Sequence, residues 1–391
     1  MRLKGGCVGL CVAALATLAC LALVETTLRL FAPQALLHDP DAFLPDAVLG
    51  VRLKPGFTDR VVTTEFASTW KINARGYRGP IAPPRSGAGI RIVALGDSFT
   101  FGYGVEEQEA WPRQVETLLN EGRAPGRTID VVNLGVGGYG THQETLWLEE
   151  TWPELRPDLA VVGFYVGNDP ADNARAESRG AVGAPRTEGT PASDDGATRT
   201  EALKRWLGSR LHLYTLVSTR TDDLLVRLGL RRIVYPFEMD VLLDDEPPRV
   251  TAAWSATRAA FEKLAAFGRE HAITVMVAII PMKHQVSDRV WERLVAYHEG
   301  QTAAGSRGAA FVRDRPQTIL ASICRETELT CLDLREGLVR SLGAGEDASV
   351  LYWPRDQHWN ARGHATAARV IEAWLQESGR LEPSVRGTGS R

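Results

Sequence analysis

The chain has 391 residues, of which 44% are hydrophobic and 24% are charged, and its formal net charge is −3. This composition is typical of a globular protein that is long enough for one large domain or two ordinary ones. No block of lysine and arginine stands out, so the sequence does not indicate a nucleic-acid-binding protein.

The N-terminus carries an uncharged apolar stretch over residues 5–24, preceded by Arg2 and Lys4. In a helix that rises ~1.5 Å per residue, a stretch of this length spans about 30 Å, the thickness of a bilayer core. We therefore predict a transmembrane anchor over residues 1–31. The basic residues before it and the acidic residues after it predict that the remainder of the chain is extracytoplasmic, on the periplasmic side of the membrane.

Two other interpretations of this segment stay open. Ala14-Leu15-Ala16 resembles a signal-peptidase site, and cleavage there would release a secreted protein. Cys20 is a candidate for lipid attachment. All three interpretations export the remainder of the chain.

Residues 32–88 form a lead segment that we expect to pack on the following domain, because its polar content is too low for a free linker. From residue 90 onward, strand and helix patterns alternate, which predicts a parallel sheet covered by helices. The predicted strands are 90–95, 129–134, 158–166, 273–280 and 329–333. The predicted helices are 110–121, 254–271 and one that follows the N-cap Asn360 and ends near residue 376.

An insertion at about 172–243 interrupts this alternation. Residues 174–200 are small, polar and charged, which predicts a mobile surface loop, and residues 201–245 carry an amphipathic helical pattern. Because the insertion follows the predicted strand 158–166, we expect a lid or substrate wall over the carboxyl end of that strand. A decorative subdomain is the alternative. Residues 377–391 are expected to be a disordered tail.

The five cysteines fall into two groups. Cys7, Cys11 and Cys20 lie in the apolar segment and are interpreted as small hydrophobic residues. Cys324 and Cys331 lie in the exported part, where either a disulfide or two separate buried thiols fit the sequence. No Cys/His cluster has metal-ligand spacing, so we expect no metal and no other cofactor.

The most informative segment is Gly96-Asp97-Ser98-Phe99-Thr100-Phe101-Gly102, directly after the predicted strand 90–95. Ser98 therefore lies at the carboxyl edge of the sheet, where open α/β sheets bind their ligands. A serine in this position is a nucleophile if a base reaches it, and its own N–H can hold an oxyanion.

This segment resembles the first conserved block of the SGNH (GDSL-type) hydrolases, and three further segments resemble the others in the same order. Residues 133–138 resemble the second block, and Gly167-Asn168-Asp169 resembles the third, with Val166 where glycine is usual. Asp356-Gln357-His358 resembles the last block. The resemblance covers residues 89–376.

The last block departs from the common Asp-x-x-His spacing. Its shorter Asp-x-His form, followed by Trp359, resembles the block of SGNH-type polysaccharide O-acetyltransferases of the alginate-modifying kind. The resemblance as a whole implies a flavodoxin-like three-layer α/β/α sandwich with a central parallel sheet, placed after the N-terminal membrane helix.

The resemblance also implies the roles of the site residues. Ser98 is the expected nucleophile, His358 the base and Asp356 the group that orients the base. The backbone N–H groups of Ser98 and Gly138 and the side-chain amide of Asn168 are the expected oxyanion donors. Asp97, His284 and Trp359 are weaker candidates for substrate binding. His142 ranks with them, whereas His364 is interpreted as a packing or surface residue.

These residues predict an esterase that hydrolyses acyl esters through a Ser-His-Asp triad outside the cytoplasm. The expected partners are an acyl-ester substrate, with O-acetyl groups on a glycan as the favoured class, and the membrane through the N-terminal helix; no nucleic acid is expected. One alternative is an O-acetyltransferase that modifies a cell-envelope or exported polysaccharide. The other is a non-catalytic glycan-binding scaffold.

Overall fold

A computed structural model describes residues 3–34, 36, 41–62, 65–85, 89–123, 128–179, 199–227, 237–302, 310–354 and 356–381. The strands are β1 (Phe43–Asp46), β2 (Gly50–Leu53), β3 (Thr58–Val62), β4 (Ala67–Lys71), β5 (Ile90–Gly96), β6 (Ile129–Asn133), β7 (Leu159–Tyr165), β8 (Thr274–Ile280) and β9 (Thr330–Asp333). The helices before the middle of the chain are α1 (Leu3–Phe31), α2 (Ser98–Phe101), α3 (Trp111–Asn120), α4 (Thr141–Leu155), α5 (Asp169–Arg179), α6 (Arg199–Gly208) and α7 (His212–Arg227). The later helices are α8 (Phe237–Asp240), α9 (Pro248–Glu270), α10 (Lys283–Val286), α11 (Asp288–Thr302), α12 (Arg315–Thr327), α13 (Arg335–Arg340) and α14 (Ala361–Glu377).

The centre of the fold is a five-stranded sheet with the order β6-β5-β7-β8-β9, in which every neighbouring pair is parallel. Strands β5 and β7 are buried along their whole length, as expected for strands covered on both faces. The helices pack in two groups, with α3 and α14 in one and α4, α5, α9 and α12 in the other. The predicted α/β fold with a central parallel sheet is confirmed.

The strand order places a topological switch point between β5 and β7. Strand β6 lies on one side of β5, and β7 lies on the other side of β5. In open α/β sheets, ligands bind at such a point, beyond the carboxyl ends of the strands. Ser98 follows β5 and Asn168 follows β7, so both lie at this switch point.

The predicted strands and helices of this domain are found within one or two residues of their expected bounds, with one exception. Helix α9 begins at Pro248, six residues before the predicted start at Trp254. Proline is well accommodated in the first turn of a helix, where its missing N–H has no acceptor to lose. Asn360 caps α14 as predicted, since its side chain accepts a hydrogen bond from the N–H of Gly363.

The predicted mobile loop at 174–200 begins later than the sequence indicated. Helix α5 extends to Arg179, because its first turn is buried and tied down: Asp172 and Asn173 are each at most 2% exposed. Residues 180–198 lie outside the described part of the chain, as do most residues of the expected C-terminal tail. A disulfide joins Cys324 at the end of α12 to Cys331 in β9.

The described residues divide into two compact units. The larger contains the parallel sheet, its helices and the pair β1–β2, and we call it the catalytic unit. The smaller contains α1, α6 and α7, and we call it the N-terminal unit. Within the N-terminal unit, α7 packs against α1. The amphipathic pattern of the insertion predicts a packed helix, and α1 is the partner of α7, whereas the expected lid or substrate wall stays a prediction.

Helix α1 contains one segment, Val12–Phe31, that is long and apolar enough to cross a membrane. Signal sequences share this property. The helix therefore fits both the anchor and the cleaved signal that the sequence left open.

Candidate active site

Ser98 is the first residue of α2, immediately beyond the end of β5. The turn between them depends on Asp97, whose carboxylate accepts a hydrogen bond from the N–H of Phe99 at 2.8 Å and so caps the short helix. It also depends on Gly96, which has φ 147°. A Cβ on Gly96 would lie 2.1 Å from Oγ1 of Thr100, so this position requires glycine.

The second sequence block braces this turn from the neighbouring strand. The side chain of Asn133 donates to the carbonyl of Thr100 at 3.0 Å and accepts from the N–H of Gly135. A Cβ on Gly135 would lie 2.3 Å from the backbone nitrogen of Phe101. The two blocks therefore approach each other so closely that only glycine fits between them.

His358 and Asp356 meet Ser98 although 260 positions separate His358 from it along the chain. The Oγ of Ser98 lies 2.7 Å from Nε2 of His358, and Nδ1 of His358 lies 2.7 Å from Oδ1 of Asp356. Side chains of His358 and Asp356 are each 24% exposed, so the group is open to solvent on one side. The structure thus brings all three predicted residues into one hydrogen-bonded chain.

The short spacing between Asp356 and His358 is closed by a turn at Gln357. Gln357 has φ 74°, a left-handed conformation that costs a non-glycine residue about 1–2 kcal/mol. The loop is held around it, since the N–H of Trp353 donates to the carbonyl of His358 at 2.8 Å. Lys283 adds a bond from Nζ to the carbonyl of Pro354 at 2.9 Å.

The charges of this pair settle which nitrogen carries the proton. Burial acts to raise the pKa of Asp356, but the charge of His358 and its hydrogen bonds outweigh that effect and hold the pKa below its ordinary value. An ionised carboxylate only accepts hydrogen bonds, so Nδ1 of His358 must donate to it. Nε2 is then free to accept the proton of Ser98.

The pKa of His358 itself is raised above its ordinary value of 6.5. Burial acts to lower it, but the charge and hydrogen bond of Asp356, together with the charges of Asp97 and Glu238, favour the protonated imidazolium. A base with this tendency takes up a proton readily and is neutral only on the alkaline side of its pKa.

The expected oxyanion donors lie on the segments that follow β5, β6 and β7. Gly137 is close enough that a Cβ on it would lie 3.9 Å from the Cβ of Ser98, and the next residue, Gly138, has φ 79°. Within the described residues, the backbone N–H groups of Ser98 and Gly138 donate to no protein acceptor. Asn168 donates an amide hydrogen to Asp172 at 3.0 Å, and its side chain is also hydrogen-bonded to Asp97.

Three buried carboxyl groups lie behind this site: Asp97, Glu144 and Asp169. Burial raises the pKa of Asp97 to about 6, and burial together with the charge of Asp97 raises the pKa of Glu144 well above its ordinary range. Burial and the charges of Asp97 and Glu144 also raise the pKa of Asp169. Neither oxygen of Glu144 has a hydrogen-bond partner among the described residues, so burial favours the neutral form of this carboxyl.

Two aromatic rings pack on the imidazole of His358. The rings of Phe99 and Tyr103 each lie with their centroids 4.8 Å from that of His358. Burial, and then the charge of Asp356, raise the pKa of Tyr103 to about 12, so its phenol stays neutral. These contacts restrict the rotation of the imidazole about the line between Ser98 and Asp356.

The lead segment packs on the turn that carries Ser98, and the sequence contains no clear indication of this particular contact. Arg78 is 1% exposed, and its guanidinium donates to the carbonyls of Phe101, Gly102 and Val105 at 2.6–2.7 Å. Trp70 of β4 packs edge-on against Phe101 and Tyr103. The only signal in the sequence is an arginine in a glycine-rich turn, and that pattern is common in loops.

Three of the weaker candidates are buried. Asp97, His284 and Trp359 were expected to contact substrate, but they are 0%, 6% and 0% exposed. Trp359 packs edge-on against Phe99 beneath the site, and Asp97 caps α2. His284 lies near Trp291. This low exposure favours a supporting role for each side chain, and contact with substrate stays a prediction.

His142 and His364 lie outside the hydrogen-bonded chain that starts at Ser98. His142 is in the first turn of α4, and burial lowers its pKa. His364 is 1% exposed and accepts a hydrogen bond from the N–H of Trp111, in line with the predicted packing role. Among the described residues, no group of three or more His, Cys, Asp or Glu side chains can hold a metal ion.

Comparison with known proteins assigns the family. The model of the GDSL-like Lipase/Acylhydrolase family matches residues 94–366, a range that contains all four blocks. The chain belongs to this family. As a GDSL-like acylhydrolase, it is an ester-hydrolysing enzyme. No functionally curated protein matches the sequence significantly.

Solved structures resemble this GDSL-like enzyme in fold at low sequence identity. A lipolytic protein of the G-D-S-L family from Desulfitobacterium hafniense is 12% identical, with a TM-score of 0.37, covering 72% of this chain and 98% of the other. A catalytic mutant of Axe2, an acetylxylan esterase from Geobacillus stearothermophilus, is 14% identical, with a TM-score of 0.37, covering 75% and 96%. A two-domain esterase active on acetylated mannans is 14% identical, with a TM-score of 0.40, covering 77% and 53%.

Proposed function

We propose that this enzyme hydrolyses acyl esters through Ser98 as nucleophile, His358 as general base and acid, and Asp356 as the group that orients and stabilises the imidazolium. The observation that carries the proposal is the unbroken hydrogen-bonded chain from Ser98 through His358 to Asp356, with 2.7 Å at each step. Both distances lie within the range required for proton transfer between a nucleophile and its base.

The reaction proceeds in two halves. In the first, Oγ of Ser98 attacks the acyl carbon while its proton passes to Nε2 of His358, and the same proton then passes to the leaving alkoxide as the ester C–O bond breaks. In the second, water attacks the acyl-enzyme, gives a proton to His358 and releases the carboxylic acid as the proton returns to Ser98. Asp356 stays ionised throughout.

The tetrahedral oxyanion of each half is assigned to the N–H groups of Ser98 and Gly138 and to the amide of Asn168. Donors held in place before the reaction need no rearrangement in the transition state, and each contributes about 3–4 kcal/mol. The bond from Asn168 to Asp172 supports this assignment, because it orients the amide from behind.

The proposed substrates are small O-acyl esters, with O-acetyl groups of a glycan as the favoured class, and the proposed location is the extracytoplasmic side of a membrane. The similarity of Asp356-Gln357-His358-Trp359 to polysaccharide-modifying enzymes supports the substrate class. The uncharged stretch 5–24, with Arg2 and Lys4 before it and acidic residues after it, supports the location.

Replacement of single residues in the full chain tests the roles. We expect Ser98→Ala and His358→Ala each to lower kcat/KM for a short-chain aryl acetate by at least about 10³-fold. Neither variant should change the melting temperature by more than a few degrees. His271→Ala is the matched control, since His271 also packs against aromatic rings but lies at the end of α9. Turnover that persists in both site variants would refute the assignment.

Acyl transfer to a polysaccharide is a second candidate, favoured by the short last block. Hydrolysis and transfer share the acyl-enzyme and differ in whether water or a sugar hydroxyl attacks it. Incubation of the purified protein with an aryl acetate and an oligosaccharide, followed by mass spectrometry, distinguishes them. An acetylated oligosaccharide would establish transfer, whereas free acetate as the sole product would favour hydrolysis.

A further inference from the structure

Exposed apolar side chains are concentrated in the N-terminal unit. Of the sixteen large apolar side chains that are exposed among the described residues, twelve lie in α1, α6 and α7. The catalytic unit, although it is much the larger, carries only the other four: Leu44, Val48, Ile81 and Val339. Such a concentration marks a surface that is covered by something other than water.

The junction between α6 and α7 is fixed to the C-terminal end of α1 by polar contacts. The carboxylate of Glu25 accepts hydrogen bonds from the N–H groups of His212 at 3.1 Å and Leu213 at 2.8 Å, at the start of α7. Arg29 donates to the carbonyl of Arg210 at 2.7 Å. A carboxylate at the N-terminus of a helix is stabilised by the helix dipole and by the unpaired N–H groups there.

These contacts set the level of the junction along α1. Glu25 is the first charged residue after the uncharged stretch 5–24, and that stretch is about as long as a bilayer core is thick. Glu25 and Arg29 lie in the C-terminal part of the segment Val12–Phe31. When the uncharged stretch 5–24 occupies the bilayer core, both residues therefore lie where that core ends. The junction of α6 and α7 lies at the same level, because it is bonded directly to both residues.

Both helices of the hairpin expose apolar side chains. On α6, Leu203 and Trp206 are 54% and 50% exposed and are spaced three positions apart on one face. On α7, Val217 and Leu224 are exposed and lie seven positions apart, which also places them on one face. Arg210 lies over the ring of Trp206, with 5.4 Å to its centroid.

We propose that the hairpin formed by α6 and α7 binds the surface of the lipid bilayer that α1 enters. Tryptophan and leucine beside arginine and lysine are the residues with which amphipathic helices lie at the boundary between headgroups and acyl chains. The position of the junction at the end of the apolar stretch selects lipid as the occupant. The proposal requires that α1 is retained in the mature protein, and it is independent of the chemistry assigned to Ser98.

Quenching of tryptophan fluorescence tests the proposal on the full chain. The protein is reconstituted into vesicles of phosphatidylcholine and phosphatidylglycerol, with and without acyl chains brominated near the glycerol. The emission of Trp206 is obtained as the difference between wild type and Trp206→Phe. We expect brominated lipid to reduce this difference by about twofold or more, since bromine quenches by contact and the ring lies in the interface.

Trp152 is the matched control. It is also partly exposed and has an arginine, Arg156, over its ring at 5.2 Å, but it belongs to α4 of the catalytic unit. We expect the difference between wild type and Trp152→Phe to be unaffected by bromination. Flotation of the protein with the vesicles establishes separately that α1 is inserted.

Two results would overturn the proposal. One is a protein that floats with the vesicles while its Trp206 emission is insensitive to brominated lipid and fully quenched by acrylamide from the aqueous phase. The other is a Trp206 emission shielded from both quenchers in proportion to the ratio of protein to lipid, which would show that a second copy of the chain covers the hairpin. Neither result would affect the esterase proposal, which is tested by Ser98→Ala.

Discussion

The catalytic unit and the N-terminal unit use apolar residues in opposite ways. In the catalytic unit, strands β5 and β7 are fully buried, and polar groups collect where those strands end. In the N-terminal unit, most of the apolar side chains of α1 remain exposed, and the polar contacts collect at the junction with α6 and α7. A unit that buries its apolar side chains in its own core can hold reacting groups at fixed distances. A unit that leaves them exposed needs a lipid or protein surface to cover them.

The two units also differ in how many contacts hold their key side chains in place. His358 is held by Asp356, Phe99 and Tyr103, and its loop is held by Lys283. The junction of the hairpin is held to α1 by a few hydrogen bonds from exposed or partly exposed residues. We therefore expect substitutions in the catalytic unit to change the rate of hydrolysis strongly and those in the N-terminal unit to change it little.

The largest effect is expected for Asp356→Asn. Loss of the carboxylate removes the acceptor that keeps the proton on Nδ1 of His358, so kcat should fall about 10³–10⁴-fold. It also removes the main influence that raises the pKa of His358. In the wild type, kcat/KM should fall as pH decreases through a value above 6.5, and in Asp356→Asn this limb should move to lower pH. An unchanged limb in the pH–rate profile would contradict the assigned pairing.

A smaller effect is expected for Tyr103→Ala, which removes one of the two rings packed on His358. Freer rotation of the imidazole should lower kcat about tenfold with little change in KM. Tyr103→Phe keeps the ring and should retain nearly full activity. The rate at which a fluorophosphonate labels Ser98 provides an independent measure. If Tyr103→Phe is as impaired as Tyr103→Ala, the hydroxyl and not the packing is responsible.

Glu144→Gln tests the buried carboxyl cluster through stability. The raised pKa of Glu144 means that the folded state binds its proton more tightly than the unfolded state does. The wild type should therefore lose stability as pH rises above the unfolded-state pKa of about 4.5, by about 1.4 kcal/mol for each pK unit of difference. The glutamine of the variant does not titrate, so the free energy of unfolding in urea should depend less on pH. Parallel profiles for the two proteins would show that Glu144 does not titrate in this way.

The smallest effect on hydrolysis is expected for Glu25→Gln. This change removes a charge that caps α7, at a cost of about 0.5–2 kcal/mol to the attachment of the hairpin. Limited proteolysis within residues 199–227 should become faster, while aryl acetate hydrolysis stays within about twofold of wild type. A large loss of activity would show that the two units are coupled, and the contrast between them would have to be abandoned.

Much of the catalytic unit could be predicted from the sequence because its signals are local. The apolar runs before Ser98 and Asn168 identify strands, and glycines beside them identify tight turns. The cap at Asn360 is read from a single residue type at the start of an amphipathic pattern. The order of the four blocks then placed Ser98, Asn168 and His358 at one edge of the sheet.

The remaining features depended on partners that no local pattern specifies. An amphipathic stripe shows that α7 must pack on something, but only the tertiary structure selects α1, far away in the sequence, as its partner. Trp359 directly follows His358 in the sequence and yet is fully buried, with its ring packed against Phe99. Arg78 stabilises the turn after Ser98 because it donates hydrogen bonds to three of its carbonyls.

Sequence alone therefore determined the strands, the position of Ser98 at the end of one of them and the chemistry available there. The tertiary structure decided that Nε2 of His358 lies 2.7 Å from Ser98, that Gln357 turns the chain so that Asp356 reaches the same imidazole, and that the insertion packs on the N-terminal helix. The physical reason is that burial and turn preferences act on neighbouring residues, whereas a distance between side chains 260 positions apart is set by the packing of every element between them.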